Sequence, residues 1–211
     1  LCIADDASKN PLVRELLKKH EVEDSRIKVV FRQQNGHISV ASNTALKSST
    51  GDFVALLDHD DLLPEHALFW IVDAIQKQPE VALIYSDEDK ISENGSRYAP
   101  YFKSDLNPEL LLAQNMISHL GVYRRELLAA IGGFQTGFEG SQDYDLALRV
   151  LEKISPSQVH HIPRVLYHWR AIAGSTALSI GEKNYATEAS CRAVTEHLKR
   201  LGQPAKVEPA P

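Results

Sequence analysis

The chain has 211 residues, 43% apolar and 24% charged, which is the composition of a globular domain with a buried core and not of a disordered segment. A formal charge of −5 without any basic block excludes an electrostatic footprint for nucleic acid, and no apolar run reaches the length of a membrane span. Two cysteines, Cys2 and Cys191, supply neither a disulfide framework nor a metal-ligand spacing, so a reducing compartment is expected.

In chain order, "LCIA" predicts a strand and "DDASKNP" the loop after it. The chain opens without Met, directly in that strand-like segment, so a longer polypeptide is expected around it. Asn10-Pro11 predicts a helix running to about His20: the amide caps the first turn, and the proline lacks an N–H that this turn cannot use. "IKVVFR" reads as a second strand, Ser39 to about Ser49 as a short helix, and "FVALL" as a buried-type strand. Pro64 opens a helix whose Leu68, Ile71, Val72 and Ile75 share one face. "VALIYS" is a further strand, and "ENGSR" a hairpin turn, since Asn94-Gly95 suits positive φ. The alternation predicts an α/β fold, a Rossmann-like mixed and mostly parallel sheet flanked by helices.

Beyond the hairpin, "HLGVY" predicts a short strand, and Arg124 to Ile131 a short helix stopped by Gly132-Gly133. Ser141 to about Glu152 is a helix with Asp145 and Arg149 spaced for an ion pair. "VHHI" and "VLYHW" read as two short strands around Pro163, and Lys183 to Arg200 as a terminal helix with Val194, Leu198 and Leu201 on one stripe. Residues 1–201 read as a single domain, and Gly202 to Pro211 as a loose tail or linker.

Carboxylates gather where strands are expected to stop: Asp5 and Asp6, then Asp58, Asp60 and Asp61 in "LLDHDD", then Asp87, Glu88 and Asp89. Ligands of open α/β sheets collect beyond the carboxyl ends of strands. An acidic rim there repels an anionic ligand unless a divalent cation mediates, and Mn²⁺ or Mg²⁺ takes oxygen ligands while keeping positions for phosphate. Taken singly, each carboxylate can equally be a turn former, and Asp61 a cap for the helix at Pro64. A calcium loop counted from Asp58 fails, because its sixth and twelfth positions hold Leu63 and Phe69.

Five segments in order resemble the family 2 glycosyltransferases. "IADDAS" is similar to the family's first nucleotide-contacting loop and "QNGHISVASNTAL" to its Asn-Gly-Gly segment, with His37 and Ser42 departing from the common residues. "LLDHDD" is similar to the Asp-x-Asp metal motif, "FEGSQDYDLALRV" to the segment carrying the catalytic base, and "VLYHWRAIAGSTA" to a closing segment of bacterial surface-polysaccharide members. The resemblance implies a GT-A fold whose first strand lies upstream of Leu1, with a nucleotide-binding half over about 1–90 and an acceptor half over about 91–201. It implies an inverting transfer from a UDP- or dTDP-sugar to a saccharide or lipid-linked saccharide in cell-surface glycan synthesis, in the cytoplasm or at the inner face of the membrane. Lacking a Gln-x-x-Arg-Trp signature, the chain is expected to be non-processive.

The same resemblance implies roles. Asp143 is the general base, at a helix start where N–H groups and the dipole stabilise negative charge. Asp5, Asp6, Asn35 and Asp58 contact the nucleotide, with the first pair accepting the base imide. Asp60 and His168 hold the cation. Asp87, Glu88, His119, Glu139, Arg170 and Ser175 contact donor or acceptor. Two other functions compete: a sugar-phosphate nucleotidyltransferase, and a non-catalytic nucleotide-sugar-binding module of a multidomain protein.

Overall fold

A computed structural model describes residues 1–171 and 184–209. Strands β1 (Cys2–Asp5) and β2 (Lys28–Phe31) pair in parallel, linked by α1 (Pro11–Glu23). Asn10 caps α1 as its sequence predicts, accepting Leu12 N–H at 3.0 Å. Helix α2 (His37–Ser48) leads to β3 (Phe53–Ala55), which starts a second sheet. Among the described residues β1 pairs only with β2, and β3 only with β6 (Val122–Arg124), so the two sheets do not join.

The second sheet is organised by β4 (Leu83–Ile91). Along one edge, β7 (Val159–Arg170) runs parallel to it; the other edge takes β6 and β5 (Arg97–Tyr101), both antiparallel. The sheet is mixed, and β6 lies between β3 and β4. Alternation along β4 sends Leu83 and Tyr85 to a core beneath α6 (Gln142–Leu151) and α7 (Asn184–Arg200), and Ile84 to a core beneath α3 (Ala67–Lys77).

Three expectations are corrected. Helix α3 buries Ala67, Ile71 and Ala74, while Leu68 and Val72 stay exposed; the two alanines let the helix sit close to the sheet. Strand β7 is continuous through Pro163, because register shifts opposite Ser86–Glu88 absorb the residue that cannot donate. Asp87, Glu88 and Asp89 do not follow the strand but lie buried within β4. The expected tail places Val207 against the core.

Two short helices, α4 (Pro108–Ala113) and α5 (Arg125–Ala130), flank β6. After α5, Gly133 (φ +70°) approaches Asn43 of α2 so closely that a Cβ would collide with Asn43 Oδ1. The Asn43 amide donates to Phe134 O and accepts Phe134 N–H, each at 2.8 Å, as a strand neighbour would. The Asp145–Arg149 pair forms as predicted, at 2.7 Å and fully buried, and Arg149 also donates to Ile131 O and Gly133 O.

Candidate active site

The acidic turn after β3 is held by β7. Leu62 and His168 exchange backbone hydrogen bonds. Arg170 N–H donates to Asp61 Oδ1 at 2.7 Å, and its Nε to Asp60 O at 2.5 Å. Asp61 is thus a buried anchor of the turn and not the cap of α3, a position taken by His66.

Three side chains meet over this turn. Asp58, Asp61 and His119 each bring one ligand atom to within 4.8 Å of the others. The His119 ring is oriented by stacking on Tyr167, centroids 4.4 Å apart, with Trp169 edge-on at 5.6 Å. Asp58 lies on a concave wall, open to solvent yet surrounded by protein. That enclosure pushes its carboxyl above the usual range; His119 opposes the shift, and Asp61, Asp143 and Asp60 reinforce it. Burial likewise raises Asp61, against the donors Arg170 N–H and Tyr167 hydroxyl. Such crowded carboxylates are what a bound cation relieves, and two carboxylates with one imidazole make a chemically competent donor set.

Asp58, His119, Glu88, Glu139 and Asp143 line one cavity of ≈ 1850 Å³. This exceeds the 300–1,000 Å³ usual for one small ligand. Its wall extends to Leu1 and Cys2 at β1 and to Phe53–Ala55 at β3. Asp143 stands second in α6, and Asn115 Nδ2 donates to its Oδ2 at 2.8 Å. Burial works against charge on Glu139, but N–H groups at Glu139 and Gly137 outweigh it and hold that carboxyl below its usual range.

The remaining expected residues are held in local networks, Glu88 alone among them also lining the cavity. Asp5 accepts Ser8 N–H at 3.3 Å, a turn-forming bond, and Asp6 grips Arg32 at 2.7 Å and Gly36 N–H at 3.0 Å. Asn35 donates to Asp6 O, joining the same cluster at the end of β1 and β2. Asp5, Asp6 and Asp60 are not among the cavity's lining residues. His168 is buried 2.6 Å from Asp89, which also pairs with Arg97. Asp87 is engaged by His161 and by Lys103 N–H, and Glu88 by Lys103 Nζ. These partners, Lys103 above all, escape sequence reasoning because they sit on other elements. Ser175 lies outside the described residues.

An α/β architecture with an acidic turn beside a cavity lined by carboxylates is that of the GT-A fold. The structure of Staphylococcus aureus TarS 1–349 in complex with UDP-GlcNAc matches with TM-score 0.69 and 18% identity, over 92% of this chain and 56% of that one. Mannosyltransferase PcManGT from Pyrobaculum calidifontis, in complex with GDP-Man and Mn²⁺, matches with TM-score 0.60 and 20% identity, over 97% and 55%. The sequence profile of Glycosyl transferase family 2 matches residues 1–132, and the chain belongs to that family. The O-antigen biosynthesis protein RfbC of Myxococcus xanthus is 40% identical over 210 residues; the match takes in 99% of this chain but 16% of that protein. Among the described residues no helix is long and apolar enough to cross a membrane.

Proposed function

We propose that this domain catalyses metal-dependent, inverting transfer of a sugar from a UDP- or dTDP-sugar to a saccharide or lipid-linked saccharide, in O-antigen-type surface glycan synthesis. The observation that carries the reading is that Asp58 and His119, grouped with the buried Asp61, line the same cavity as Asp143. The similarity to an O-antigen biosynthesis protein supports the glycan class, and the Mn²⁺ bound by the mannosyltransferase of the same fold supports the metal.

Asp58, Asp61 and His119 would hold the cation, and an imidazole in the set favours Mn²⁺ over Mg²⁺, which prefers oxygen ligands in near-ideal octahedra. When bound, it supplies charge neutralisation for the departing diphosphate. Asp60 borders this group from outside the cavity wall and would act on the diphosphate only through the cation. His168 serves through Asp89 and its bridge to Leu62, as a support of the turn. Asp5 accepts the imide of uracil or thymine, with Asp6 and Asn35 bracing its loop.

Asp143 takes the proton of the attacking hydroxyl. Asn115 occupies one of its oxygens and leaves the other for the acceptor. A single base and a single displacement give inversion. Glu139 and Glu88, both in the cavity wall, would contact the sugars. The reaction belongs to the cytoplasm, at the inner membrane face where the acceptor is lipid-linked.

The test is a nucleotide-sugar screen with Mn²⁺, reading release of the nucleoside diphosphate. Asp143→Asn is expected to lose 10²- to 10⁴-fold in turnover, an order-of-magnitude range for a general base, while still binding nucleotide. Normal transfer by that variant would remove Asp143 from the role, and pyrophosphate made from a nucleoside triphosphate and a sugar phosphate would replace the reaction altogether.

A further inference from the structure

We infer that Lys103 is a positioning residue: it holds the loop from Asn115 to His119 against the site and through it sets both Asp143 and His119. The inference rests on the roles proposed above for those two residues. The Lys103 side chain is fully buried and is not part of the cavity wall, so it acts only through others.

An ammonium has three N–H donors, and here each has an acceptor: Glu88 Oε2 at 3.1 Å, Ile117 O at 2.8 Å and His119 O at 2.5 Å. Glu88 Oε2 also accepts His119 N–H at 3.1 Å, closing a ring around that peptide. The loop is therefore gripped at two carbonyls and one amide by a single buried ion pair.

Each flank of the gripped segment carries chemistry. On one side Asn115 accepts Ser118 N–H at 3.1 Å and donates to Asp143 Oδ2 at 2.8 Å. On the other, the His119 ring joins Asp58 and Asp61. One cation thus ties the proton-accepting side of the cavity to its metal-competent side. Burying an ammonium is unfavourable, and an apolar residue would often serve stability as well. Burial lowers the Lys103 pKa and Glu88 opposes that shift, so the ion pair carries a desolvation cost.

The test uses Lys103→Met, alone and combined with Glu88→Gln, which removes the charge left behind while keeping an acceptor for His119 N–H. Amide hydrogen exchange at Ser118, His119 and Leu120 is expected to rise about tenfold or more in both variants, with Leu83–Tyr85 of β4 keeping their protection. On a nucleotide sugar at saturating Mn²⁺, kcat of Lys103→Met is expected to fall about ten- to a hundredfold, and its Mn²⁺ affinity to weaken severalfold through the displaced His119. Lys103→Met combined with Asn115→Ala should lose no more than the larger single change.

Unchanged exchange at 118–120, an equal rise across β4, or losses that multiply in the double variant would overturn the inference. No nucleotide-sugar turnover by the unsubstituted protein would instead overturn the functional reading, and the exchange data would still decide whether Lys103 holds the loop.

Discussion

The Tyr167 hydroxyl donates to Asp61 Oδ2 at 2.5 Å and accepts Asp58 N–H at 3.2 Å, so one side chain of β7 spans the acidic turn. Burial pushes that phenol far above its ordinary range, and Asp58 and Asp61 push it further, so it remains a donor wherever the protein is folded. Tyr167→Phe is expected to cost about 1–3 kcal/mol, the penalty for a buried carboxylate losing a donor, and to weaken Mn²⁺ binding severalfold. Thermal denaturation and calorimetry measure both. Unaltered Mn²⁺ affinity would show that the turn keeps its shape without the hydroxyl.

The carboxyls of Asp58 and Asp61 lie above their ordinary value of 3.8. A carboxyl raised in the folded state binds its proton more tightly there than in the unfolded chain. Its contribution therefore favours the fold at acid pH and is lost as pH rises from 3.8 through the raised value. On the proposed reading, a cation would take the place of those protons at neutral pH. Mn²⁺ at a hundred times its Kd is expected to stabilise the protein by about 2.7 kcal/mol at pH 7 and by much less near pH 4. Asp58→Asn should raise the metal-free melting temperature at pH 7 and remove the response to Mn²⁺. A variant that still responds fully would exclude Asp58 as a ligand.

His119 and His168 separate by the same measurement. His119→Ala should weaken Mn²⁺ binding about tenfold or more with little change in melting temperature. His168→Ala leaves the buried Asp89 with Arg97 alone and should cost about 1–3 kcal/mol of stability. The opposite pattern would return the metal-ligand role to His168.

Arg149→Met strands Asp145 as a buried carboxylate and frees two carbonyls of the turn after α5. The expected loss is about 3–5 kcal/mol in chemical denaturation, with Mn²⁺ affinity of the folded fraction unchanged. A loss under about 1 kcal/mol would mean that water reaches the pair.

Features set by neighbours in sequence were readable. The Asn10 cap, the Asn94-Gly95 hairpin with Gly95 at φ +83°, and the Asp145–Arg149 pair all form as the pattern predicts. Helix α4 carries the same signal, Asn107-Pro108-Glu109, with Asn107 accepting Leu110 N–H, and it could have been read in the same way. The interior of β4 could not. Three successive carboxylates argue for a strand end, and what keeps them inside is a set of partners 8 to 79 residues away: Arg97, Lys103, His161 and His168.

The site divides in the same way. The acidic turn and Asp143 stand out in the sequence. That Asp61, not Asp60, joins the metal-competent group follows from contacts with β7, and His119 enters through a loop whose position depends on tertiary packing.

Asn43 and Gly133 carry a consequence for how this chain can vary. The amide hook leaves no room for a Cβ on the glycine, and the glycine's φ of +70° disfavours any side chain. Positions 43 and 133 should therefore drift as a pair among relatives, a bulkier residue at one accompanying loss of asparagine at the other. Swapping in only one of them should yield a hybrid that folds poorly until its counterpart is exchanged too.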